Sequence, residues 1–223
     1  MSSRRLFITG TNTEVGKTFV TCEMLKYLVK SRKSTAAFKP IETGCSKKNN
    51  ILQPSDSKCF HKILNRALPL DLINPYRFIP PISPNMAIRL AKKKITINDY
   101  CRKLNLLGHY NYILIEGAGG LCSPLSSDGL NIDFAKKAKI DSVLVARDEI
   151  GVINNVILTI NTFAKYKLNL KAIVLNRIKV KQPSGMDNAK ELASFTDIPI
   201  IQIIKGKPCL SAVRKLLSLT LLR

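Results

Sequence analysis

Short segments that are apolar throughout alternate with helical patterns along most of this sequence, and this alternation restricts the fold more than any other feature. The strands that it predicts are Arg5–Thr9, Thr35–Lys39, Tyr112–Glu116, Ser142–Ala146, Ala172–Asn176 and Pro199–Ile204. Strands of this kind are buried on both faces, which is typical of parallel sheets with helices packed against each side. The sequence therefore predicts an α/β fold with a mainly parallel sheet covered by helices on both faces.

The segments between these runs predict the helices and loops. Helices are predicted from Lys17 to about Arg32, from Ser55, over Met86–Lys94 and Ile97–Leu107, after Gly151, around Asp187–Phe195 and at the C-terminus. The polar stretch Cys45–Pro54 is predicted to be a surface loop, and the proline-rich stretch 73–85 to lack regular structure. Because no linker divides the 223 residues, we predict one domain over residues 1–223.

A glycine-containing loop, Gly10–Thr18, connects the first predicted strand to the first predicted helix. It reads GTNTEVGKT, so it ends as a phosphate-binding loop does, but its first glycine stands one position further upstream than in the general G-x-x-x-x-G-K-[ST] pattern. Backbone N–H groups in such a loop bind phosphates, aided by the helix N-terminus. Lys17 can then supply a positive charge to the phosphates, and the Thr18 hydroxyl can bind Mg²⁺.

Two further motifs follow predicted strands, at the edge where parallel sheets bind ligands. Glu116 ends one strand and precedes the small residues Gly117–Gly120, a position where phosphate-loop proteins hold their metal. Lys39 ends another strand, and Pro40 keeps it extended, so its side chain is expected at the same edge. Asp56 is a weaker candidate, because Ser-Asp at a helix start is usually a cap.

The net charge of +21 raises the question of nucleic-acid binding. The lysines, however, are spread along the chain in short runs without interleaved aromatic residues. We therefore interpret the charge as a solvated basic surface that attracts anionic substrates such as ATP, and predict no specific nucleic-acid partner.

Cysteine spacing and hydropathy bear on the location of the protein. None of the six cysteines forms a C-x-x-C pair, which fits thiols in a reducing compartment. No apolar stretch approaches the roughly 20 residues that cross a bilayer. These features predict a cytoplasmic protein without a membrane partner.

Taken together, the motifs resemble the ATP-dependent dethiobiotin synthetase family in content, order and spacing. They are GT-x-T-x-VGKT at Gly10–Thr18, FKPIETG at Phe38–Gly44, Ser55-Asp56, NPY at Asn74–Tyr76, Ser83-Pro84, EGAGG at Glu116–Gly120 and Asn176. The resemblance covers residues 4 to about 178. That family carries the same displaced loop, so the shifted glycine is interpreted as a family trait in a single-domain P-loop fold.

The resemblance implies a ligase of biotin biosynthesis. It would convert 7,8-diaminononanoate, CO₂ and ATP to dethiobiotin, ADP and phosphate, through a carbamate and a carbamic-phosphoric anhydride. Because a carbamate and a triphosphate are both negatively charged, the reaction needs cations, including the cofactor Mg²⁺, between them. The family also implies a homodimer.

The resemblance assigns roles to individual residues. The implied catalytic residues are Lys39, Lys17 and Thr13; the nucleotide-binding residues are Glu14, Val15, Gly16, Lys17, Thr18, Phe19, Asp56, Glu116, Gly117, Ala118, Gly119, Asn176 and Arg177; the metal ligands are Thr18, Asp56 and Glu116; and the substrate-binding residues are Thr43, Gly151, Val152, Ile153 and Asn154. In this assignment Asn176 contacts the edge of adenine. The segment from Gly151 would hold the substrate carboxylate of the partner subunit, since free N–H groups at a helix start favour an anion.

The chain departs from the family pattern at two places. Thr43 stands where the family commonly has serine, which keeps the hydroxyl. Residues Gln202–Lys207 replace an expected Gly-x-x-Pro-like turn near adenine, which leaves nucleotide selectivity open.

A second class of protein has a related fold, namely P-loop ATPase switches of the partitioning type, which bind DNA through a basic face. Their loop carries a signature lysine near its start. The corresponding residue here is Asn12, whose amide cannot supply that positive charge.

Overall fold

The centre of the molecule is a parallel sheet of six strands. The structure is a computed structural model and describes residues 3–178 and 182–222. Its strands are β1 (Arg4–Gly10), β2 (Thr35–Phe38), β3 (Ile41–Glu42), β4 (Ser46–Lys48), β5 (Ile51–Gln53), β6 (Tyr76–Arg77), β7 (Tyr112–Glu116), β8 (Asp141–Arg147), β9 (Leu170–Arg177) and β10 (Ile200–Ile204). The sheet has the order β10-β9-β8-β1-β7-β2, and every pairing within it is parallel.

Helices pack against both faces of this sheet. They are α1 (Lys17–Lys30), α2 (Ser55–Ile63), α3 (Leu70–Ile73), α4 (Pro84–Leu90), α5 (Ile97–Asn105), α6 (Asn131–Lys137), α7 (Val152–Lys165), α8 (Asn188–Leu192) and α9 (Leu210–Thr220). In β8, Val143 and Val145 join one core with α1 and α9, whereas Leu144 and Ala146 join a second core with α7 and α8. The predicted α/β class, with a parallel sheet covered on both faces, is confirmed.

The position of β1 in the sheet brings the predicted motifs together. β1 pairs with β7 on one side, where Ile8 is opposite Glu116, and with β8 on the other, where Gly10 is opposite Val145. β2 lies beyond β7, so Lys39 follows a strand that ends at the same edge. The carboxyl ends of these strands therefore bring the glycine loop, Lys39 and Glu116 to one place.

The prediction of a surface loop over Cys45–Pro54 is wrong, because β4 and β5 form an antiparallel hairpin there. Its turn residues Asn49 and Asn50 have φ of 48° and 60°. Two consecutive residues with positive φ make the turn that matches the twist of paired strands, and asparagine tolerates this conformation.

The proline-rich stretch 73–85 also contains regular structure that its composition conceals. Tyr76–Arg77 pairs in parallel with Ile41–Glu42, and Pro84 begins α4, where its missing N–H leaves no helical hydrogen bond unmade. The short helix α3 and the helix α6 were not predicted.

The longest helices among the described residues are shorter than the roughly 20 residues that a membrane-spanning helix needs. α1 and α7 have 14 residues each, and within the described ranges no helix combines the length and the hydropathy that a membrane span requires. All six cysteines are free thiols.

A capping box at α5 links stability to pH. Asp99 Oδ2 accepts hydrogen bonds from the backbone N (2.8 Å) and hydroxyl (2.6 Å) of Thr96, and Arg102 also contacts this carboxylate. The hydrogen bonds from Thr96 hold the pKa of Asp99 below its ordinary value. Its stabilising contribution is thus present above that ordinary value and is lost as the pH falls through the lowered pKa.

We therefore expect Asp99→Ala to lower the free energy of unfolding by about 1 kcal/mol at neutral pH, the usual effect of losing a cap. The difference from wild type should shrink below a pH of about 3.9, the ordinary pKa of aspartate. Urea unfolding at a series of pH values measures both. A difference that stays constant into strong acid would contradict the assignment.

Candidate active site

A cavity of about 270 Å³ opens at the carboxyl ends of β1, β2 and β7. It is lined by Thr13, Glu14, Gly16, Lys17, Thr18, Lys39, Ile41, Glu42, Thr43, Asp56, Glu116, Ala118 and Gly119. Most of the site residues predicted from sequence thus share one cavity.

The glycine loop presents a free helix N-terminus to this cavity. Gly16 occupies the position before α1 with φ of 98°, and no side chain caps the helix there. A Cβ atom on Gly16 would lie 1.9 Å from Asn176 Nδ2, so glycine is required both for the backbone conformation and for the close approach. Uncapped N–H groups at this position favour an anion.

Neighbouring strands hold the loop in shape. Asn176 at the end of β9 donates from Nδ2 to Val15 O at 3.0 Å, and Arg147 at the end of β8 donates from Nη2 to Glu14 O at 2.6 Å. The N–H of Thr11 donates to Val145 O at 3.1 Å. Asn176 was predicted to contact adenine; in the structure its amide group contacts the loop, and the adenine contact stays a prediction.

Lys17 is the first residue of α1, and its side chain is buried beneath the glycine loop. Its Nζ donates to Asn12 O at 2.9 Å, and 6% of the residue is exposed. Burial, followed by the nearby positive charge of Lys39, lowers the pKa of Lys17 to about 8. A bound polyphosphate would favour the charged form, because a nearby negative charge raises the pKa of an amine.

Lys39 lies between two carboxylates. Its Nζ is 2.5 Å from Glu116 Oε1 and 2.9 Å from Asp56 Oδ2. Burial alone would lower the pKa of Lys39, but the negative charges of Glu116, Asp56 and Glu42 outweigh burial and raise that pKa above its ordinary value. Burial likewise acts to raise the pKa of Asp56, but the Lys39 charge, together with hydrogen bonds from Lys39 and Thr18, outweighs burial and lowers that pKa. The charged ammonium form of Lys39 is therefore favoured at neutral pH.

Glu116 is fully buried at the end of β7 and is held by hydroxyl groups of α1. Thr18 Oγ1 is 2.9 Å from Glu116 Oε1, and Thr21 Oγ1 is 2.8 Å from Glu116 Oε2. Thr21 lies one helical turn after Lys17, so it faces the same strand end. Thr21 was not predicted to be a site residue, although its spacing after the glycine loop, GKT-x-x-T, is visible in the sequence.

The oxygen atoms around Lys39 fit a magnesium ion. Mg²⁺ prefers oxygen ligands and is usually bound by one or two carboxylates together with phosphate oxygens. The hydroxyl of Thr18 and the carboxylates of Glu116 and Asp56 offer such oxygen atoms, and the carboxylates already contact the cationic Lys39. In the part of the chain that the structure describes, no three His, Cys, Asp or Glu residues form a metal cage. Phosphate oxygens would thus have to complete the coordination.

Glu42 was not predicted from the sequence, yet it lines the cavity and is 5% exposed. Its carboxylate accepts hydrogen bonds from the first residues of α2, including the backbone N of Asp56 at 2.9 Å. A carboxylate that caps a helix 13 residues further along the sequence leaves no local signal. Only the tertiary structure reveals it.

The other predicted nucleotide-binding residues lie around the cavity without lining it. Val15 is buried beneath the loop, whereas Phe19 is 45% exposed on α1. A Cβ atom on Gly117 would lie 2.7 Å from Asn131 Oδ1, so the backbone there is closely packed. Arg177 Nε pairs with the buried Asp148 at 2.9 Å, and this guanidinium is thereby held at the end of β9.

The predicted substrate-binding residues separate into two places. Thr43 lines the main cavity, whereas Gly151–Asn154 do not. Gly151 precedes α7 with φ of 88° and without a side-chain cap, and Val152 lines a smaller cavity of about 170 Å³ on the far side of the glycine loop. Within one chain, the structure therefore does not bring these two groups of residues together.

A parallel sheet, a phosphate loop before α1 and an acid at the end of the adjacent strand define the P-loop nucleotide-binding class. A family model described as an AAA domain matches residues 4–214. The ATP-dependent dethiobiotin synthetase BioD of Legionella pneumophila (strain Lens) is 38% identical over 201 residues, which is 89% of this chain and 92% of that protein. The protein of the same name from Vesicomyosocius okutanii is 35% identical over 88% of each chain. The chain belongs to the ATP-dependent dethiobiotin synthetase family, a family of ligases.

Solved structures show the same fold at much lower identity. The septum site-determining protein MinD of Pyrococcus horikoshii, complexed with Mg-ADP, has a TM-score of 0.60 and 17% identity, covering 96% of this chain and 86% of that chain. A putative plasmid partition protein of Borrelia burgdorferi bound to AMPPNP has a TM-score of 0.61 and 12% identity, covering 98% of each chain. These likenesses concern the fold alone. The partitioning alternative is not favoured, because the sequence relatives are dethiobiotin synthetases and Asn12 replaces the signature lysine.

Proposed function

We propose that the protein catalyses the ATP-dependent carboxylation and ring closure of 7,8-diaminononanoate to dethiobiotin. The observation that carries this proposal is the charged Lys39, placed between Glu116 and Asp56 in the cavity that the phosphate loop also lines. A reaction that joins a carbamate to a phosphoryl group needs a fixed cation at that place. Membership of the family supplies the substrate.

The reaction proceeds in three bond-forming steps. One amine of the substrate attacks CO₂, loses a proton and becomes a carbamate. A carbamate oxygen then attacks the γ-phosphorus of ATP, and ADP leaves as the carbamic-phosphoric anhydride forms. Finally the second amine attacks the anhydride carbon and loses a proton, and the C–O bond to phosphate breaks, so that inorganic phosphate leaves as the five-membered urea ring closes.

The residues of the cavity contribute charge and position to these steps. Lys17 neutralises the β- and γ-phosphates at the N-terminus of α1, and Thr13 and Glu14 border the phosphates in the same loop. Lys39 stabilises negative charge on the carbamate and on the transferring phosphoryl group. Thr43 orients the diamine. Mg²⁺, held by Thr18, Asp56 and Glu116, supplies further positive charge at the phosphates when bound.

The proposal includes a cytoplasmic homodimer of single-domain subunits. Ile150 precedes α7 and Leu158 lies in the middle of it; both are apolar and are 79% and 58% exposed, which is compatible with a protein contact along this helix. In such a dimer, Gly151–Asn154 of one chain would bind the substrate carboxylate in the cavity of the other. One sheet takes its strands from Arg4–Gly10 through Ile200–Ile204, which supports a single domain.

The direct measurement is product formation from ATP, Mg²⁺, bicarbonate and diaminononanoate, followed by mass spectrometry. We expect dethiobiotin, with phosphate release that depends on both the diamine and bicarbonate. DNA should not replace the diamine, and any DNA binding should disappear at physiological salt, as expected of scattered lysines. ATP turnover that responds to DNA and not to the diamine would refute the proposal.

A further inference from the structure

Glu42 is joined to α2 through every acceptor position of its carboxylate. Oε1 accepts from Asp56 N at 2.9 Å and Ser55 Oγ at 3.3 Å, and Oε2 accepts from Ser57 N at 3.1 Å and Ser57 Oγ at 2.6 Å. A carboxylate offers about four acceptor sites. Glu42 therefore has no free acceptor for a substrate, and its effect on the site passes through α2.

α2 depends on this outside contact because its own cap position cannot supply one. The residue before the helix is Pro54, and no side chain of the N-cap binds the first turn. The first N–H groups of a helix need acceptors, and a negative charge there is stabilising. Glu42 provides both the acceptor and the charge from β3.

The same contact determines where Asp56 lies. The side chain of Asp56 is 34% exposed, so packing alone does not fix it, whereas its backbone N is bound directly by Glu42. Glu42 also follows Lys39 by only two intervening residues, and Asn74 Nδ2 holds Lys39 O at 2.8 Å. The segment Lys39–Glu42 thus holds Lys39 at its first residue and binds the start of α2 through its last residue.

We propose that Glu42 is a positioning residue, which holds the N-terminus of α2 so that the Asp56 carboxylate remains directed at the cation site beside Lys39 and Glu116. This inference rests on the proposed role of Asp56 as a Mg²⁺ ligand. It predicts that Glu42 controls the affinity for the metal although it does not bind the metal itself.

The test is a titration with Mn²⁺, followed by electron paramagnetic resonance, in the presence of a non-hydrolysable ATP analogue. We expect Glu42→Ala to weaken Mn²⁺ binding by about 10- to 100-fold, the usual effect of removing a group that orients a metal ligand. Glu42→Gln should weaken Mn²⁺ binding less than Glu42→Ala does. Its amide oxygen can accept from Asp56 N, whereas its NH₂ group can donate to the Ser57 hydroxyl but leaves Ser57 N without its acceptor.

The matched control is Thr96→Ala, which removes the cap of α5 outside the cavity. Thr96→Ala should lower the free energy of unfolding by about 1 kcal/mol, the usual effect of losing a helix cap, without changing the Mn²⁺ affinity. An unchanged affinity in folded Glu42→Ala, or an equal loss in Thr96→Ala, would overturn the inference. So would a Glu42→Gln variant as impaired as Glu42→Ala.

If Glu42→Ala does not fold, Glu42→Asp decides the question, since it keeps the charge but draws the carboxylate away from Asp56 N and both groups of Ser57 by one methylene. Weaker Mn²⁺ binding then supports the inference, and unchanged binding overturns it. The titration contains neither diamine nor bicarbonate. Failure of the proposed reaction would therefore be seen in the product assay and would leave this result unaffected.

Discussion

Lys39→Gln is expected to lower kcat for dethiobiotin formation by about 10²- to 10³-fold, the usual cost of removing one positioned group that stabilises charge in a transition state. Glutamine keeps a polar side chain but removes the charge that lies 2.5 Å from Glu116 and 2.9 Å from Asp56. The KM for ATP should change little, because an interaction made mainly in the transition state appears in kcat. Steady-state kinetics with ATP and diamine varied separately measure both quantities.

Lys26→Gln is the matched control for this variant. Lys26 also contacts a carboxylate, Glu23, at 2.6 Å, but its side chain is 58% exposed and lies outside the cavity. It should retain wild-type kcat. If Lys39→Gln raises only the KM for ATP, Lys39 binds the nucleotide and does not act on the transferring group.

The second large effect is recovery of activity on mixing two inactive variants. Lys17→Ala damages the phosphate half of the site, and Asn154→Asp places a repelling charge where the substrate carboxylate is proposed to bind. In a mixed dimer with shared sites, one site carries both changes and the other carries neither. After equal mixing and full exchange, about half of the dimers are mixed, so about a quarter of wild-type activity should return.

A second mixture serves as the control. Lys17→Ala and Glu116→Gln both damage the phosphate half, so every site of their mixed dimer is defective and no activity should return. If Lys17→Ala and Asn154→Asp also restore nothing although exchange is confirmed, each site is built from one chain. The substrate carboxylate must then bind elsewhere.

The sheet and its ligand edge were predictable because their signals are local. The strand Tyr112–Glu116 has the predicted bounds, since its apolar run ends at an acid followed by glycines. α1 was predicted to reach Arg32 but ends at Lys30, because Arg32 has φ of 52° and leaves the helical conformation. Such ends depend on single residues that propensity does not identify.

Contacts between distant segments could not be predicted in this way. Glu42, which lies in β3, caps α2. Asn176 binds the carbonyl of Val15, which is 161 positions away in sequence. The resemblance to the family predicts Asn176 as a nucleotide-binding residue at a strand end, and that role stays a prediction. Its partner depends on how β9 is placed relative to the glycine loop, which only the assembled sheet determines.

Because β8 and β9 donate hydrogen bonds to the glycine loop, the loop loses its conformational entropy when the protein folds and not when a nucleotide binds. Asn176 and Arg147 restrain the loop as soon as the sheet forms, so a nucleotide does not have to order it on arrival. Association then approaches the docking of an anion onto a rigid surface, and the net charge of +21 accelerates the encounter. β8 and β9, which place few residues at the phosphates, thus lower the entropic cost of binding the nucleotide.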